Sequence, residues 1–196
     1  MLSVLIVATV LVYTWLIAPI TPRAIVVIPV MVVLGLALFR AIRTGEWGFN
    51  RKAFLPALSR TAMATSIAAV PIVLAGWRAD TWHDAHDPWN RLVLLIPWAL
   101  GQQFVLQTAL LRDAQRAAGR PGGILVAALA FAALHAPNPL LTAATFVGAL
   151  TWCWLYDRHP NVVPLALSHA VLTLIVLYAL DNGAIGGLRV GGAYRR

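Results

Sequence analysis

Three apolar stretches of this sequence contain polar side chains that could take part in chemistry. They are Gln102, Gln103 and Gln107 in the first stretch, Phe131 with His135 in the second, and His169 with Thr173 in the third. Polar groups inside segments of bilayer length are costly unless they find partners, so they are the first candidates for a site. An imidazole has an unperturbed pKa of about 6.5 and can accept a proton, whereas a carboxamide cannot. The candidate catalytic residues are therefore His135 and His169, and the other five are candidates for the lining of a cavity.

The spacing of these residues suits helices. The pairs four residues apart are Gln103 with Gln107, Phe131 with His135, and His169 with Thr173. Residues at this spacing share one face of an α-helix, so each stretch can direct a pair toward one side. An alternative remains open, because amides and imidazoles also form ordinary packing hydrogen bonds between membrane helices.

The composition places these helices in a membrane. Of the 196 residues, 60% are hydrophobic and 11% are charged, whereas soluble domains need about 25% charged residues. Apolar runs long enough to span a bilayer predict an all-α polytopic membrane helical bundle of about seven transmembrane helices. The predicted spans are 2–18, 24–39, 61–77, 92–111, 122–136, 139–156 and 162–180.

The basic residues predict orientation rather than nucleic-acid binding, because they are scattered between apolar runs. Nine lie on the predicted inner side: Arg40, Arg43, Arg51, Lys52, Arg60, Arg112, Arg116, Arg120 and Arg158. Six lie on the predicted outer side: Arg23, Arg78, Arg91, Arg189, Arg195 and Arg196. This bias predicts an integral protein of a bacterial-type cytoplasmic (inner) membrane, with the N-terminus inside and the C-terminus outside.

The chain divides into three predicted regions. Residues 1–60 hold the N-terminal spans and a basic interfacial connection, residues 61–180 form the membrane core, and residues 181–196 form a flexible tail. The single glutamate, Glu46, falls in the basic connection outside the core. Any mechanism that needs a pair of buried glutamates is therefore not available to this chain.

A metal ion is a weaker hypothesis. Two histidines and two aspartates cluster in the outer connection: His83, Asp84, His86 and Asp87. Such residues can bind a divalent metal, although Trp82 and Trp89 also suit an aromatic belt at the membrane interface. His135 and His169 by themselves fall short of the usual three protein ligands of a catalytic zinc. No cofactor is therefore firmly predicted.

From about Leu92 to Leu180 the chain resembles the CPBP family of intramembrane proteases, which includes CAAX prenyl proteases and lysostaphin resistance protein A. The family signatures are Glu-Glu-x3-Arg, Phe-x3-His and His-x3-Asn/Asp, in that order. Phe131-x3-His135 matches the second signature in full. His169 matches the third, with Thr173 where Asn or Asp is usual. The first appears as Gln102-Gln103-x3-Gln107, so all three of its ionisable residues are replaced.

The resemblance implies an intramembrane endopeptidase that processes the end of a membrane-anchored or prenylated (CAAX) protein. In the family the first glutamate is thought to activate the attacking water, which Gln102 cannot do. One hypothesis is therefore a divergent protease that relies on His135 and His169. The alternative is a non-catalytic pseudoprotease that binds a hydrophobic or lipidated peptide as a chaperone, immunity or regulatory factor. The expected partners are the lipid bilayer, such a peptide or protein, and an active paralogue. A small transporter subunit is a third hypothesis, which no motif supports.

Overall fold

A computed structural model describes residues 2–82 and 87–195, apart from the side chains of Arg23 and Arg195. The named elements of this part of the chain are all helical, and Phe49 and Asn161 form one isolated bridge. Six helical stretches are long and apolar enough to cross a membrane. The fold is an all-α polytopic bundle, and the protein is an integral membrane protein.

Eight α-helices follow one another within residues 2–82 and 87–195. They are α1 (Leu2–Val12), α2 (Val27–Thr44), α3 (Phe54–Arg78), α4 (Pro88–Phe104), α5 (Arg112–Ala133), α6 (Pro139–Arg158), α7 (Val162–Ala179) and α8 (Asn182–Ile185). Two π-helical segments continue helices without a break: Tyr13–Ile17 follows α1, and Val105–Leu111 connects α4 to α5. The third span begins at Phe54, seven residues before the predicted start.

The fourth candidate span, Pro88–Ala133, contains 46 residues, about twice the number needed to cross a bilayer. Gly119 interrupts its helical path with φ 72° and ψ 176°. Gly123 lies directly against the backbone of Gln115, whereas residues eight apart in a straight α-helix are separated by about 12 Å. The chain therefore reverses at Gly119. This reversal divides the stretch into the two spans predicted from the sequence, and it accounts for six continuous stretches where about seven were expected.

The described chain forms two compact units. Unit 1 comprises Met1–Trp47, Phe104–Cys153 and Leu188–Arg196. Unit 2 comprises Gly48–Gln103 and Trp154–Gly187. Each unit is described by itself below.

In unit 1 the buried centre is the π-helical segment Val105–Leu111, whose seven residues are all buried. The C-terminal segment, predicted as a flexible tail, is attached to this unit by two hydrogen bonds. The Gly191 amide donates to the Ala136 carbonyl at 2.8 Å, and the Asn138 side chain donates to the Arg189 carbonyl at 3.3 Å. Gly191 has φ 59° and lies against the backbone of Thr14, which leaves no room for a side chain.

In unit 2 the helices approach closely because small residues line their contacts. Gly76 of α3 lies against the backbone of Ala179 at the end of α7. Ala99 of α4 packs with Ala166 and Ala170 of α7 in a buried cluster. Small residues of this kind let membrane helices pack backbone to backbone, and here they fix α7 between two neighbours.

The start of α7 is fixed by the chain that precedes α3. Asn161 caps α7 by accepting from the Val163 amide at 3.0 Å, and its amide group donates to the Asn50 carbonyl at 2.9 Å. The Val162 amide donates to the Gly48 carbonyl at 2.9 Å. Part of the predicted basic connection is therefore an ordered support for the helix that carries His169.

Candidate functional site

Unit 2 brings together two of the predicted site residues, Gln103 and His169. Their Nε2 and Nδ1 atoms lie 3.4 Å apart, and their exposed fractions are 0% and 9%. An amide nitrogen only donates, so in this pair Nδ1 of the imidazole is the acceptor. The contact is a neutral hydrogen bond between α4 and α7.

The neighbours of this pair on α7 are also polar. The Thr65 hydroxyl of α3 donates to the Ser168 hydroxyl at 2.7 Å, so α3 contributes to the same part of α7. Thr173 is half-buried one turn further along α7, and Gln102 is half-buried on α4. Neither side chain forms a hydrogen bond with any residue that the structure describes. These two groups are therefore open to a ligand.

Unit 1 contains the other predicted catalytic residue, His135, which follows the end of α5. Its Nδ1 lies 2.7 Å from the Phe131 carbonyl oxygen, and the two rings are 4.8 Å apart between centroids. A carbonyl oxygen only accepts, so the proton of the neutral imidazole is on Nδ1. Nε2 then keeps its lone pair and can accept a proton or a hydrogen bond.

The loop after His135 is held by Asn138, which sequence reasoning did not single out for the site. Asn138 is fully buried and accepts from the Leu141 amide at 3.0 Å, so it caps the start of α6. The peptide bond between Ala136 and Pro137 is cis. The signal for this role was the Asn-Pro sequence before an apolar run, which is typical of a helix start.

Gln107 lies in the π-helical segment of unit 1, and this corrects one spacing argument. Gln103 and Gln107 were expected to share a face on the assumption of continuous α-helix. The helix is π-helical from Val105 onward, so the α-helical rule no longer applies to Gln107. The Gln107 side chain is fully buried and hydrogen-bonds the thiol of Cys153.

The sequence misjudged Arg40, which was counted as an exposed charge that sets membrane orientation. Arg40 is only 3% exposed. Its Nε donates to Asp113 at 3.0 Å and its Nη1 donates to Glu46 at 2.9 Å. Arg116 donates to the same two carboxylates at 3.1 and 3.3 Å. These four side chains, which we call the arginine cluster, are near enough to share their charges because α2 packs against the π-helical segment.

The weak metal hypothesis for the outer connection concerns residues that lie mostly outside the described chain, namely His83, Asp84 and His86. The remaining member, Asp87, is exposed, and its carboxylate accepts from the side chain and the backbone amide of Asn90. Among residues 2–82 and 87–195, no group of three His, Cys, Asp or Glu side chains is placed to hold a metal ion.

Comparison with known proteins agrees with the resemblance seen in the motifs. Residues 84–175 match a family model described as type II CAAX prenyl endopeptidase Rce1-like. No curated protein and no solved structure matches the chain. The matched residues include Gln102, Gln103, His135 and His169. Over residues 84–175 the chain is therefore similar to the Rce1-like family of type II CAAX prenyl endopeptidases.

Proposed function

We propose that this protein binds the hydrophobic or lipidated end of a membrane-anchored protein without cleaving it, as a chaperone, immunity or regulatory factor. The observation that carries the proposal is the buried hydrogen bond between Gln103 and His169. The resemblance places a glutamate of the family at the position of Gln103. The amide can orient a water molecule or a peptide group, but it cannot remove a proton.

The acids of unit 1 do not replace the missing glutamates. This unit contains two acidic residues, Glu46 and Asp113, and both accept hydrogen bonds from arginines of the arginine cluster. The hydrogen bonds from Ser3 and Arg40 and the charges of Arg40 and Arg116 stabilise the charged form of the Asp113 carboxylate, which is therefore a poor base. Glu46 is held by the same two arginines, so both acids are engaged in the arginine cluster.

The polar side chains of Gln102 and Thr173 are better suited to bind a peptide than to bind a lipid tail alone. Gln102 and Thr173 are half-buried on membrane helices and form no hydrogen bond with a described residue. Polar groups in such segments are stabilised when a ligand supplies the missing partner. A peptide backbone offers both N–H and C=O groups, and an attached lipid or apolar side chain would occupy the hydrocarbon region. These features support a lipidated or apolar peptide as ligand.

Peptide hydrolysis is the second candidate function, and one observation favours it. The Phe131 carbonyl fixes the His135 proton on Nδ1, which leaves Nε2 as an available base. In this mechanism Nε2 would take the proton of a water molecule that attacks the scissile carbonyl. Amide and hydroxyl groups would then stabilise the oxyanion. As the scissile C–N bond breaks, the protonated His135 would give its proton to the leaving amine.

A peptide assay in proteoliposomes separates the two functions. The probe is a fluorescent peptide with a farnesylated C-terminal cysteine, and the control is the same peptide without the farnesyl group. We expect the wild type to retain the farnesylated peptide and to release it intact, and the variants Gln102→Ala and Thr173→Val to retain less. A shortened peptide that disappears with His135→Ala would establish hydrolysis instead. The absence of both retention and cleavage would refute both functions.

A second test restores the ionisable residues of the family. The variant combines Gln102→Glu, Gln103→Glu and Gln107→Arg, and its control is the wild type in the same vesicles. We expect cleavage of the farnesylated peptide only by the variant, because a carboxylate can activate water. Cleavage by the wild type at a similar rate would contradict a binding role.

We also propose that the protein lies in a bacterial-type inner membrane with its N-terminus inside, and that an active paralogue is a partner. Without the buried Arg40, eight basic residues remain on the proposed inner side against six outside. The bias is therefore smaller but keeps its direction. Protease accessibility of tags at the two chain ends in oriented vesicles would test the orientation.

A further inference from the structure

The π-helical segment Val105–Leu111 is contacted by hydrogen-bond donors from outside its own helix. Every residue in it is buried, and it contains Gln107. π-Helical turns are rare and occur frequently at functional sites. Buried carbonyl groups need hydrogen-bond donors wherever the local helix does not supply them. Donors from neighbouring helices therefore add to the bonds of the helix itself, such as the one from the Arg112 amide to the Ala109 carbonyl.

Two side chains from the N-terminal helices supply such donors. Arg40 of α2 donates through Nη1 to the Thr108 carbonyl, and the Ser3 hydroxyl of α1 lies 3.2 Å from the Ala109 carbonyl as a donor. The same two side chains also contact the Asp113 carboxylate, which lies in the first turn of α5. Each side chain thus joins the π-helical segment to the helix that follows it.

An arginine suits this task better than a lysine would. The guanidinium of Arg40 is planar and holds the Thr108 carbonyl and the carboxylates of Glu46 and Asp113 at the same time. A lysine presents one compact ammonium group and cannot reproduce a planar, several-pronged arrangement of donors. Arg43, one turn further along α2, is exposed, and its guanidinium carbon lies 5.0 Å from the centroid of the Phe39 ring. It is a matched control for charge on the same helix.

We propose that Arg40 is a positioning residue that holds the π-helical segment and thereby sets the place of the Gln107 side chain. This proposal rests on the proposed function in one respect only, namely that Gln107 is taken as a residue of the functional site. It assigns a structural role to the N-terminal spans of residues 1–60. In this role α1 and α2 form the support of the helix that carries the first signature.

The chain contains its own reporter for the position of Gln107. Cys153 is the single cysteine, it is fully buried, and its thiol is hydrogen-bonded by Gln107. If the π-helical segment moves, this contact is lost and the thiol opens more often to a reagent. The alkylation rate of Cys153 therefore measures the local opening of this segment.

The experiment measures alkylation of Cys153 by N-ethylmaleimide in proteoliposomes. We expect Arg40→Lys to raise the rate by about tenfold over the wild type, because local opening becomes more frequent. Arg43→Lys should leave the rate unchanged. A rate for Arg40→Lys equal to that of the wild type would overturn the proposal.

A second reporter separates local movement from general loosening. Ala170→Cys, in a Cys153→Ala background, places a thiol at a fully buried position of unit 2. Adding Arg40→Lys should not change the alkylation of this thiol. An equal rise at both positions would mean general destabilisation and would overturn the proposal.

Should Arg40→Lys fail to fold, Ser3→Ala decides the question. This variant removes one donor and should raise Cys153 alkylation by about threefold, and an unchanged rate would overturn the proposal. The assay contains no peptide, so its outcome is independent of the peptide-binding experiments. A failure of the proposed function and a failure of this inference are therefore distinguishable.

Discussion

Unit 1 and unit 2 stabilise their buried polar groups in opposite ways. In unit 1 the arginine cluster pairs two guanidinium groups with two carboxylates around the buried Arg40. In unit 2 the pair formed by Gln103 and His169 is neutral, and the two residues share a hydrogen bond. The candidate site residues of unit 2 are therefore neutral, and the buried charge of unit 1 lies where α2 packs against the π-helical segment.

The difference between the two units shows where two of the seven acidic residues of this chain contribute to stability. Two of these acids, Glu46 and Asp113, pair with Arg40, which would otherwise be a costly unpaired charge. Gln102, Gln103 and Gln107 are uncharged, so they add no second cost of the same kind. The buried charges of this protein therefore stabilise the fold, and they are separate from the uncharged residues of the candidate site.

The largest expected effect on stability comes from removing Arg40 from the arginine cluster of unit 1. Arg40→Met removes the buried member of the arginine cluster and leaves Asp113 and Glu46 with the exposed Arg116 alone. Breaking such a buried network should lower the free energy of unfolding by about 3 kcal/mol. Denaturant titration in mixed micelles measures this change. Arg43→Met is the control and should change stability little, and a similar loss in both variants would contradict a special role for Arg40.

Introducing a charge into the neutral pair of unit 2 should have the next largest effect on stability. Gln103→Glu places a carboxylate at a fully buried position and should destabilise the protein by about 2 kcal/mol at pH 8. The charged form carries the cost, so stability should recover as the pH falls and the carboxyl group takes up a proton. Unfolding measured from pH 5 to pH 8 tests this sign, and a loss that is independent of pH would argue against it.

The neutral pair itself should contribute a smaller amount. A double-mutant cycle with Gln103→Leu and His169→Leu should give a coupling energy of about 1 kcal/mol. The same cycle applied to Arg40 and Asp113 should give a larger coupling. Equal couplings would remove the distinction between the two units.

The smallest effect is expected beside the neutral pair, at Thr65. Thr65→Val removes the donor to the Ser168 hydroxyl and should cost about 0.6 kcal/mol, a typical value for hydrogen bonds between membrane helices. Thr65→Ser keeps the hydroxyl and is the control. Thermal unfolding followed by circular dichroism compares them, and identical melting temperatures would show that this bond does not contribute to stability.

Most of the architecture was predictable because span length and apolar composition are local properties. The separate spans 92–111 and 122–136 correspond to the two arms on either side of the reversal at Gly119. The contact between Gln103 and His169 joins residues that the motifs had already selected. The prediction of the spans depends on patterns that can be seen within about twenty residues.

The remaining features were not predictable because they depend on pairing between distant residues. Arg40 lies near the end of α2, where a basic residue ordinarily extends to the membrane interface, and only its packing against Asp113 reveals a buried role. The π-helical character of Val105–Leu111 has no periodic signal of its own. The hydrogen bond between Gly191 and the loop after His135 likewise joins residues more than fifty positions apart.

The reversal at Gly119 has a consequence for how the protein is made. Gln115 and Gly123 meet after only eight residues, and closing so short a loop costs little conformational entropy compared with pairing distant helices. The Gln107 arm and the His135 arm can therefore enter the membrane together as a helical hairpin during synthesis. On this account the region of unit 1 around Gln107 and His135 forms early, and Gly119 matters for biogenesis as well as for the folded protein.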